Sequence, residues 1–329
     1  MNYAIIGCGL IGKKRLAGLP AGSKLVVACD TNLARAGELV KLAGTGRAVA
    51  DYRQAVVDPQ VNAVIVATVN AALAEVSAAA IRAGKHVLVE KPAGVSVRQI
   101  DGLIALAGEH GVCVRAGFNH RYHPAFLKAR EIFESGVMGE LMFIRARYGH
   151  GGRVGYDQEW RADPKLSGGG ELIDQGVHLI NLASWFLGRF TKVNGHAATF
   201  FWNMPVDDNA FLDLRTAKGR TAWLHVSCTE WKNLFSFEIY GRKAKLHIEG
   251  FGGSYGVEKL YHYQMKPEMG PPDTKLYEFP GPDESWRIEM TEFEKDTQLK
   301  RKPDAGLAEA RAALQIVEAI YQKGRMSNL

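Results

Sequence analysis

The chain has 329 residues, which is enough for two domains of ordinary size. Hydrophobic residues make up 47% and charged residues 23% of the chain, which fits a soluble globular protein. The formal net charge of +6 comes from dispersed Lys and Arg side chains, so it does not argue for a nucleic-acid binder.

Cysteine spacing and the start of the sequence bear on the compartment. The cysteines lie far apart without a Cys-x-x-Cys pair, so neither a zinc site nor a disulfide framework is indicated. We therefore expect no bound metal. No charged segment followed by an apolar one precedes the first predicted strand, so we expect no signal peptide. No run of about twenty apolar residues is present, so we expect a cytoplasmic location and no membrane partner.

A glycine-rich turn follows the first predicted strand directly. The apolar residues 3–6 lead into Gly7-x-Gly9-x-x-Gly12, and the next residues can open a helix. Gly7 allows the tight turn, Gly9 lets the backbone approach a pyrophosphate, and Gly12 lets the helix pack close to the strand. An anion would lie at the helix N-terminus, where N–H groups and the helix dipole favour it. The predicted cofactor contacts here are Gly7, Gly9, Leu10, Ile11 and Gly12.

A carboxylate ends the second predicted strand, 24–30. Asp30 lies at about the distance along the chain expected for the residue that holds a ribose 2′-hydroxyl. Its charge disfavours a 2′-phosphate, and Arg35 is the nearby cation that would offset it. We therefore predict NAD as the cofactor rather than NADP.

Up to residue 120 the pattern alternates between strands and helices, which indicates a parallel, doubly wound sheet. The remaining predicted strands are 63–67, 86–89 and 112–116, and the predicted helices are 32–42, 51–56, 71–83 and 96–109.

From residue 121 the pattern changes to strands joined by short turns, which indicates a mostly antiparallel sheet. The predicted strands are 141–148, 195–202, 210–215, 221–229, 235–240 and 244–249. The predicted helices are 124–135, 171–187, 285–299 and 305–322, and the Gly-Pro-rich pieces 270–272 and 280–282 are interpreted as loops.

Lys91 is the first candidate for chemistry. The tripeptide Glu90-Lys91-Pro92 follows the strand 86–89, and ligands of doubly wound sheets bind outside the carboxyl ends of strands. The proline restricts the backbone of Lys91 and would aim its side chain. The alternative is a loop lysine that is exposed to solvent.

A polar stripe on an apolar helix is the second candidate. Three glycines precede the helix 171–187, in which Asp174, His178 and Asn181 share one face. His178 would accept a proton, and Asp174 would orient it or tune its pKa. The alternative is a satisfied core network in which an Asp–His pair merely pins the helix.

These motifs together resemble the glucose–fructose oxidoreductase/inositol dehydrogenase/rhizopine catabolism family. The matching pieces, in order, are Gly7-Cys8-Gly9-Leu10-Ile11-Gly12, Glu90-Lys91-Pro92, Gly117-Phe118-Asn119-His120-Arg121-Tyr122 and Gly168–His178. The resemblance implies an α/β protein with an N-terminal Rossmann doubly wound parallel sheet. It also implies a C-terminal α+β domain with a large open, mostly antiparallel sheet that often makes homodimers or homotetramers.

The resemblance also implies the domain limits and the roles of residues. Residues 1–120 would bind the dinucleotide and 121–329 the substrate, with the last helix, 305–322, able to pack back on the first domain. Lys91 would contact the substrate hydroxyl and nicotinamide, while Asp174 and His178 would form the acid/base pair at the same carbon. The segment after residue 67 lacks the Pro and His often seen in the family, which leaves Thr68 and Asn70 as cofactor neighbours beside Glu90.

The segment 148–161 is polar, aromatic and basic, and it resembles the branch that oxidises nucleotide-linked amino sugars at C3. UDP-N-acetylglucosamine or its uronic acid would then be the substrate, and the keto-sugar would pass to an aminotransferase partner. Arg153, Arg161 and Lys165 would hold the phosphates, and Tyr156 or Trp160 would pack on a base or sugar. The predicted substrate-binding residues are Asn119, Arg121, Tyr148, Arg153, Tyr156, Trp160, Arg161, Asp174 and His178.

Four alternatives to that function stay open. The first alternative is that the segment 148–161 is an ordinary surface loop. The enzyme would otherwise oxidise a free sugar or inositol, or use bound NAD transiently to cleave a glycoside. A non-catalytic nucleotide-sensing regulator is the last alternative, and a pure sensor needs neither Lys91 nor the Asp174–His178 pair.

Overall fold

The computed structural model describes residues 1–326, so residues 327–329 of the predicted second domain lie outside the described residues. Within that described range, no helix combines the length and apolar character needed to cross a membrane.

Strands and helices alternate through the first 119 residues. In chain order the elements are β1 (Asn2–Ile6), α1 (Leu10–Ala17), β2 (Lys24–Cys29), α2 (Leu33–Ala43), β3 (Arg47–Val49), α3 (Tyr52–Val56), β4 (Ala63–Val66), α4 (Asn70–Arg82), β5 (His86–Glu90), α5 (Val97–His110) and β6 (Val114–Gly117).

Strands dominate the chain from residue 120 to residue 279, and two helices follow them. The elements are α6 (Pro124–Glu134), β7 (Leu141–Gly149), α7 (Pro164–Ser167), a π-helical turn (Leu172–Gly176), α8 (Val177–Leu187), β8 (Phe190–Ala198), β9 (Asn209–Thr216), β10 (Thr221–Ser227), β11 (Leu234–Gly241), β12 (Ala244–Glu249), β13 (Glu258–Gln264), β14 (Asp273–Phe279), α9 (Ser285–Gln298) and α10 (Leu307–Met326). Short 3-10 turns lie at Asn119–Tyr122, Tyr156–Gln158, Trp160–Ala162 and Gly253–Tyr255.

The chain forms two compact units. Each unit is assembled from several stretches of the chain, so the two are not separated by a single boundary near residue 120. The first unit contains Met1–Asn119, Lys165–Gly168 and Glu284–Gln315, and the second contains His120–Pro164, Gly169–Asp283 and the chain from Ile316 onward. Helix α9 belongs to the first unit because Met290 and Phe293 pack into the core beneath its sheet.

The first unit contains a six-stranded sheet in the order β3-β2-β1-β4-β5-β6, and all of its pairs are parallel. Every residue of β4 is buried, as expected for a strand covered on both faces. The strand order reverses between β1 and β4, and the carboxyl ends of β1, β2, β4 and β5 therefore present the candidate cofactor residues. The predicted Rossmann sheet is confirmed.

The second unit contains an eight-stranded sheet in the order β14-β13-β12-β11-β7-β10-β9-β8. Its pairs are antiparallel except for β7 and β10, so the predicted mostly antiparallel sheet is confirmed.

Two details of that sheet differ from prediction. Strand β8 ends at Ala198 rather than near 202, because the Asp208 carboxylate accepts the amides of Phe200, Phe201 and Trp202 and holds them in a loop. The sequence pattern also missed β13 and β14, which lie between and beside the Gly-Pro-rich loops.

Candidate functional site

In the glycine turn between β1 and α1, Gly7 and Gly12 are closely packed, whereas Gly9 faces open space. Gly7 has φ +96°, and a Cβ there would lie 2.3 Å from the carbonyl oxygen of Ala67. A Cβ on Gly12 would lie 2.1 Å from the carbonyl oxygen of Gly7. A Cβ on Gly9 would meet no described atom within 4 Å, and the neighbouring Leu10 is 71% exposed. The turn therefore keeps backbone amides accessible at the start of α1, which suits a pyrophosphate.

Asp30 is fixed beside this turn. One carboxylate oxygen accepts the Cys8 amide at 2.9 Å and the other accepts the Asn32 amide at 2.8 Å. A carboxylate has about four lone-pair positions, so acceptor capacity is left for ribose hydroxyls. The Cys8 thiol beneath the turn is buried, which raises its pKa to about 12 and keeps it protonated. Gly7, Gly9, Gly12 and Asp30 thus form a cradle that fits a dinucleotide.

Thr68, Asn70 and Ile11 surround the cradle with different exposures. The backbone nitrogen of Thr68 would lie 2.8 Å from a Cβ on Gly7, so Thr68 borders the turn. Asn70, which begins α4, is buried and donates its side-chain amide to the carbonyl of Ser167 at 2.9 Å. Ile11 is half-buried in α1.

Lys91 follows the last residue of β5, in a turn that the Ala93 amide closes by donating to the Glu90 carbonyl at 2.9 Å. Its side chain is half-buried. The Lys91-Pro92 peptide bond is cis. The carboxyl end of β5 therefore carries Lys91 at the edge of the sheet where ligands of such folds bind.

The side chain of Glu90 is committed to a buried ion network. Arg15 of α1 is 0% exposed and donates to Glu90 and to Glu289 of α9, each at 2.6 Å. Burial raises the pKa of Glu289, while the guanidinium opposes that rise. The network ties the helix after the glycine turn to the residue before Lys91.

Asn119, a predicted substrate ligand, is buried in the first unit. Its side-chain amide donates to the Ser285 hydroxyl at 2.9 Å. Arg121, in the second unit, is also buried and donates to the Asn181 side chain at 2.7 Å.

The helix that carries the candidate acid/base pair begins with the π-helical turn rather than as one regular helix from 171. Asp207 accepts the amides of Gly170 and Leu172 at 3.0 and 2.8 Å through its carboxylate, and that of Glu171 at 2.9 Å through its carbonyl. The Tyr321 hydroxyl donates to the same carboxylate at 2.7 Å. Turns of this type recur at functional sites.

Asp174 lies in this π-helical turn and pairs with Arg161 at 3.0 Å. Burial works against the charge of Arg161, but the Asp174 carboxylate outweighs it and raises the pKa of the guanidinium. Arg161 also faces Glu159 at 3.6 Å and lies over the ring of Trp160. Arg161 thus connects the segment 150–161 to the π-helical turn through Asp174.

His178 is 4% exposed in α8, and its ring stacks on the ring of His120. The centroids are 3.6 Å apart and the planes differ by 9°. Beyond His120 lies the Tyr148 hydroxyl, 3.3 Å from the His120 ring nitrogen. Burial raises the pKa of Tyr148 well above its usual value, helped by the charges of Asp174 and Glu171 nearby.

The other predicted substrate residues lie on the segment 150–161. Arg153 is exposed and pairs with Glu159 at 2.6 Å. Tyr156 is buried and meets the His150 ring edge-on at 5.4 Å. The His150 side chain lies 3.7 Å from Glu171, and burial lowers the pKa of His150.

Sequence reasoning missed four contributors: Asp207, Tyr321, His120 and His150. Asp207 and Tyr321 reach the π-helical turn from distant parts of the chain, so no local spacing announces them. His120 lies within the motif that carries the resemblance, and His150 lies within the segment 148–161, so position was a signal for both.

Comparison with known proteins gives consistent matches along the chain. The family described as "Oxidoreductase family, NAD-binding Rossmann fold" matches residues 1–118, and "GFO/IDH/MocA C-terminal domain" matches residues 126–247. Levoglucosan dehydrogenase of Pseudarthrobacter phenanthrenivorans is 27% identical over 67% of this chain and 59% of that protein. Inositol 2-dehydrogenase 2 of Saccharopolyspora erythraea is 28% identical over 57% of this chain and 54% of that protein.

The chain thus spans 54 to 59% of the length of these two curated relatives. Among solved structures, the complex of levoglucosan dehydrogenase with NADH and levoglucosan has a TM-score of 0.89 at 22% identity. That match covers 99% of this chain and 97% of the other, so the two share a fold. The chain belongs to the GFO/IDH/MocA oxidoreductase family, and residues 1–118 form its NAD-binding Rossmann domain.

Proposed function

We propose that this protein is an NAD-dependent dehydrogenase that oxidises a secondary hydroxyl of a free sugar or polyol. The bound coenzyme supplies the hydride acceptor. His178 takes the hydroxyl proton, and Lys91 donates a hydrogen bond to the same oxygen as negative charge develops there. Asp174, which pairs with Arg161, orients His178 and favours its protonated form. The products are a ketone, NADH and a proton on His178.

The pairing of charges on the segment 150–161 is the observation that favours an uncharged substrate. Cations that are not already paired with carboxylates favour the binding of a nucleotide diphosphate. Arg153 pairs with Glu159 at 2.6 Å, and Arg161 pairs with Asp174 at 3.0 Å. Two of the three cations predicted to hold phosphates, Arg153 and Arg161, are therefore matched by carboxylates of this chain. Neighbouring carboxylates accept hydrogen bonds well from sugar hydroxyls.

The names of relatives support the same choice. Levoglucosan dehydrogenase and the inositol 2-dehydrogenases are named for unphosphorylated sugars or polyols. We therefore place the free sugar or polyol ahead of UDP-N-acetylglucosamine. The aminotransferase partner would be required only if the product were a nucleotide-linked amino sugar.

The experiment is a substrate panel with purified protein and NAD. Levoglucosan, myo-inositol, scyllo-inositol, glucose and UDP-N-acetylglucosamine are each tested by absorbance of reduced nicotinamide and by product analysis. We expect NADH and a keto product with at least one free sugar or polyol, and no inhibition by UDP. Turnover of UDP-N-acetylglucosamine alone, with UDP competing, would contradict the proposal.

The same panel, extended by a simple alkyl glycoside, separates the remaining alternatives. Release of free sugar from a glycoside without net NADH would indicate the hydrolytic relative. Binding of NAD with no product from any member of the panel would favour a sensor.

We also propose that the exposed face of the second sheet joins copies of this chain into a homodimer or homotetramer. Phe143 and Trp223 are 38% and 63% exposed on this face. Light scattering should show an oligomer that Trp223→Asp dissociates, while Leu42→Asp on α2 leaves it intact. A monomeric parent protein would refute this assembly.

A further inference from the structure

The parallel contact between His120 and His178 is the feature on which this inference rests. Their centroids are 3.6 Å apart, their planes differ by 9°, and both side chains are buried. One face of the His178 imidazole is therefore covered by a second imidazole. Stacked rings fix each other's plane, and the plane sets where the ring nitrogens of His178 point.

His120 is itself held from several sides. Phe251 lies 4.6 Å from its ring centroid, and the Tyr148 hydroxyl lies 3.3 Å from its ring nitrogen. His123 meets it edge-on at 5.8 Å and is anchored by Glu258 at 3.0 Å. These contacts thus hold the His120 ring in one orientation.

We propose that His120 is a positioning residue for His178, whose imidazole plane it holds while it covers one face against water. The proposal rests on the function proposed above, in which His178 takes the substrate proton. Two stacked imidazolium rings would repel, so one proton at a time is accommodated by the pair.

Other titratable groups lie near the pair. They are Tyr148 of β7, which Tyr255 contacts, His123 with Glu258 and Asp283, Glu171 with His150, and Asp174 with Arg161. Substitution of His120 by alanine or by phenylalanine removes the Tyr148 contact in both cases. A shift in the pH profile that appears with alanine and not with phenylalanine therefore reports the covering ring.

The test compares variants that keep or remove a flat ring at position 120. In His120→Ala we expect kcat to fall by about 10²-fold, the size of effect that a small misplacement causes, with KM for sugar and NAD within about twofold. Water then reaches His178 and favours its charged form, so the acid limb of kcat/KM moves to higher pH. His120→Phe should stay within about threefold of the parent, with its acid limb unmoved. His110→Ala, on the exposed end of α5, is the control.

Three outcomes would overturn the proposal. One is a His120→Ala enzyme within threefold of the parent. Another is an equal loss in His120→Ala and His120→Phe with no shift of the acid limb, which would assign the effect to the Tyr148 contact. If the alanine variant does not fold, His120→Leu is tested in its place. The third outcome that would overturn the proposal is activity of His120→Leu equal to that of the parent. Parental turnover in His178→Ala would instead refute the proposed function.

Discussion

At the scale of a single residue, Asp30 is the side chain that we propose to set which dinucleotide the first unit prefers. Both of its oxygens are already oriented by the Cys8 and Asn32 amides. A fixed carboxylate accepts ribose hydroxyls and repels a 2′-phosphate. The sequence alone points to this residue because its distance from the glycine turn is set by the βαβ unit, and its role stays a prediction.

Asp30→Ala should weaken NAD binding by about 10- to 100-fold, since charge-assisted hydrogen bonds contribute about 1.5–3 kcal/mol. NADP binding should weaken less or improve, because the repulsive charge is gone. Calorimetric Kd values for both dinucleotides check this, with Asp101→Asn on α5 as the control. A parent protein that binds NADP more tightly than NAD would contradict the assignment.

The π-helical turn shows, at the scale of an element, how a distant residue shapes the candidate site. Asp207 holds the amides of Gly170 and Leu172 through its carboxylate. A Cβ on Gly170 would lie 1.9 Å from the Asp207 carbonyl oxygen, so the glycine is needed for this approach. Three glycines before a helix would let a ligand approach the backbone, but at Gly170 the group that comes close is Asp207 of the chain itself.

In Asp207→Ala the buried Leu172 amide loses its acceptor and the Gly170 amide keeps only the Tyr321 hydroxyl at 3.2 Å, so we expect a loss of about 1–3 kcal/mol in the free energy of unfolding. Tyr321→Phe removes the hydrogen bond donated to Asp207 and the one accepted from the Gly170 amide, and should cost about 1–2 kcal/mol. Urea denaturation measures both. A change below about 0.5 kcal/mol in Asp207→Ala would mean that the turn does not depend on this carboxylate.

Prediction succeeded for elements with strong local patterns and failed for those fixed by tertiary contacts. Strand β4 is a continuous apolar run and was found within one residue. Strand β14 is mostly exposed at the edge of its sheet, so no alternation of buried residues marks it. The irregular start of α8 depends on Asp207, which no helical periodicity reveals.

At the scale of the whole molecule, the ionisation of Glu238 in the second sheet makes the free energy of unfolding depend on pH in the acid range. It accepts hydrogen bonds from Arg145 and Lys245 at 2.6 Å and from Tyr240 at 2.9 Å. Burial alone would raise the pKa of Glu238, but these bonds outweigh it and lower the pKa from 4.5 to about 2. The stabilisation is complete above pH 4.5 and is lost as the pH falls toward about 2.

Glu238→Gln should therefore lower stability at pH 7 and flatten its decline between pH 4.5 and about 2. Urea midpoints across that range, for the variant and the parent, provide the measurement. An unchanged slope would show that another carboxylate dominates acid unfolding.

The two-unit architecture was predictable because the periodicity changes near residue 120. The assignment of α9 to the first unit was not, since its sequence alone does not say which sheet Phe293 covers. Likewise, the sequence shows the arginines on the segment 150–161 but not their carboxylate partners, which only the structure reveals.

The most direct test of the central claim is the rate of hydride transfer in Lys91→Ala and His178→Ala, measured in single turnovers with saturating NAD and the sugar found in the panel. We predict that each variant keeps NAD binding and loses at least about 10²-fold in rate, as expected for removal of a proton acceptor or an oxygen-binding donor. Rates within a few-fold of the parent in both variants would contradict it.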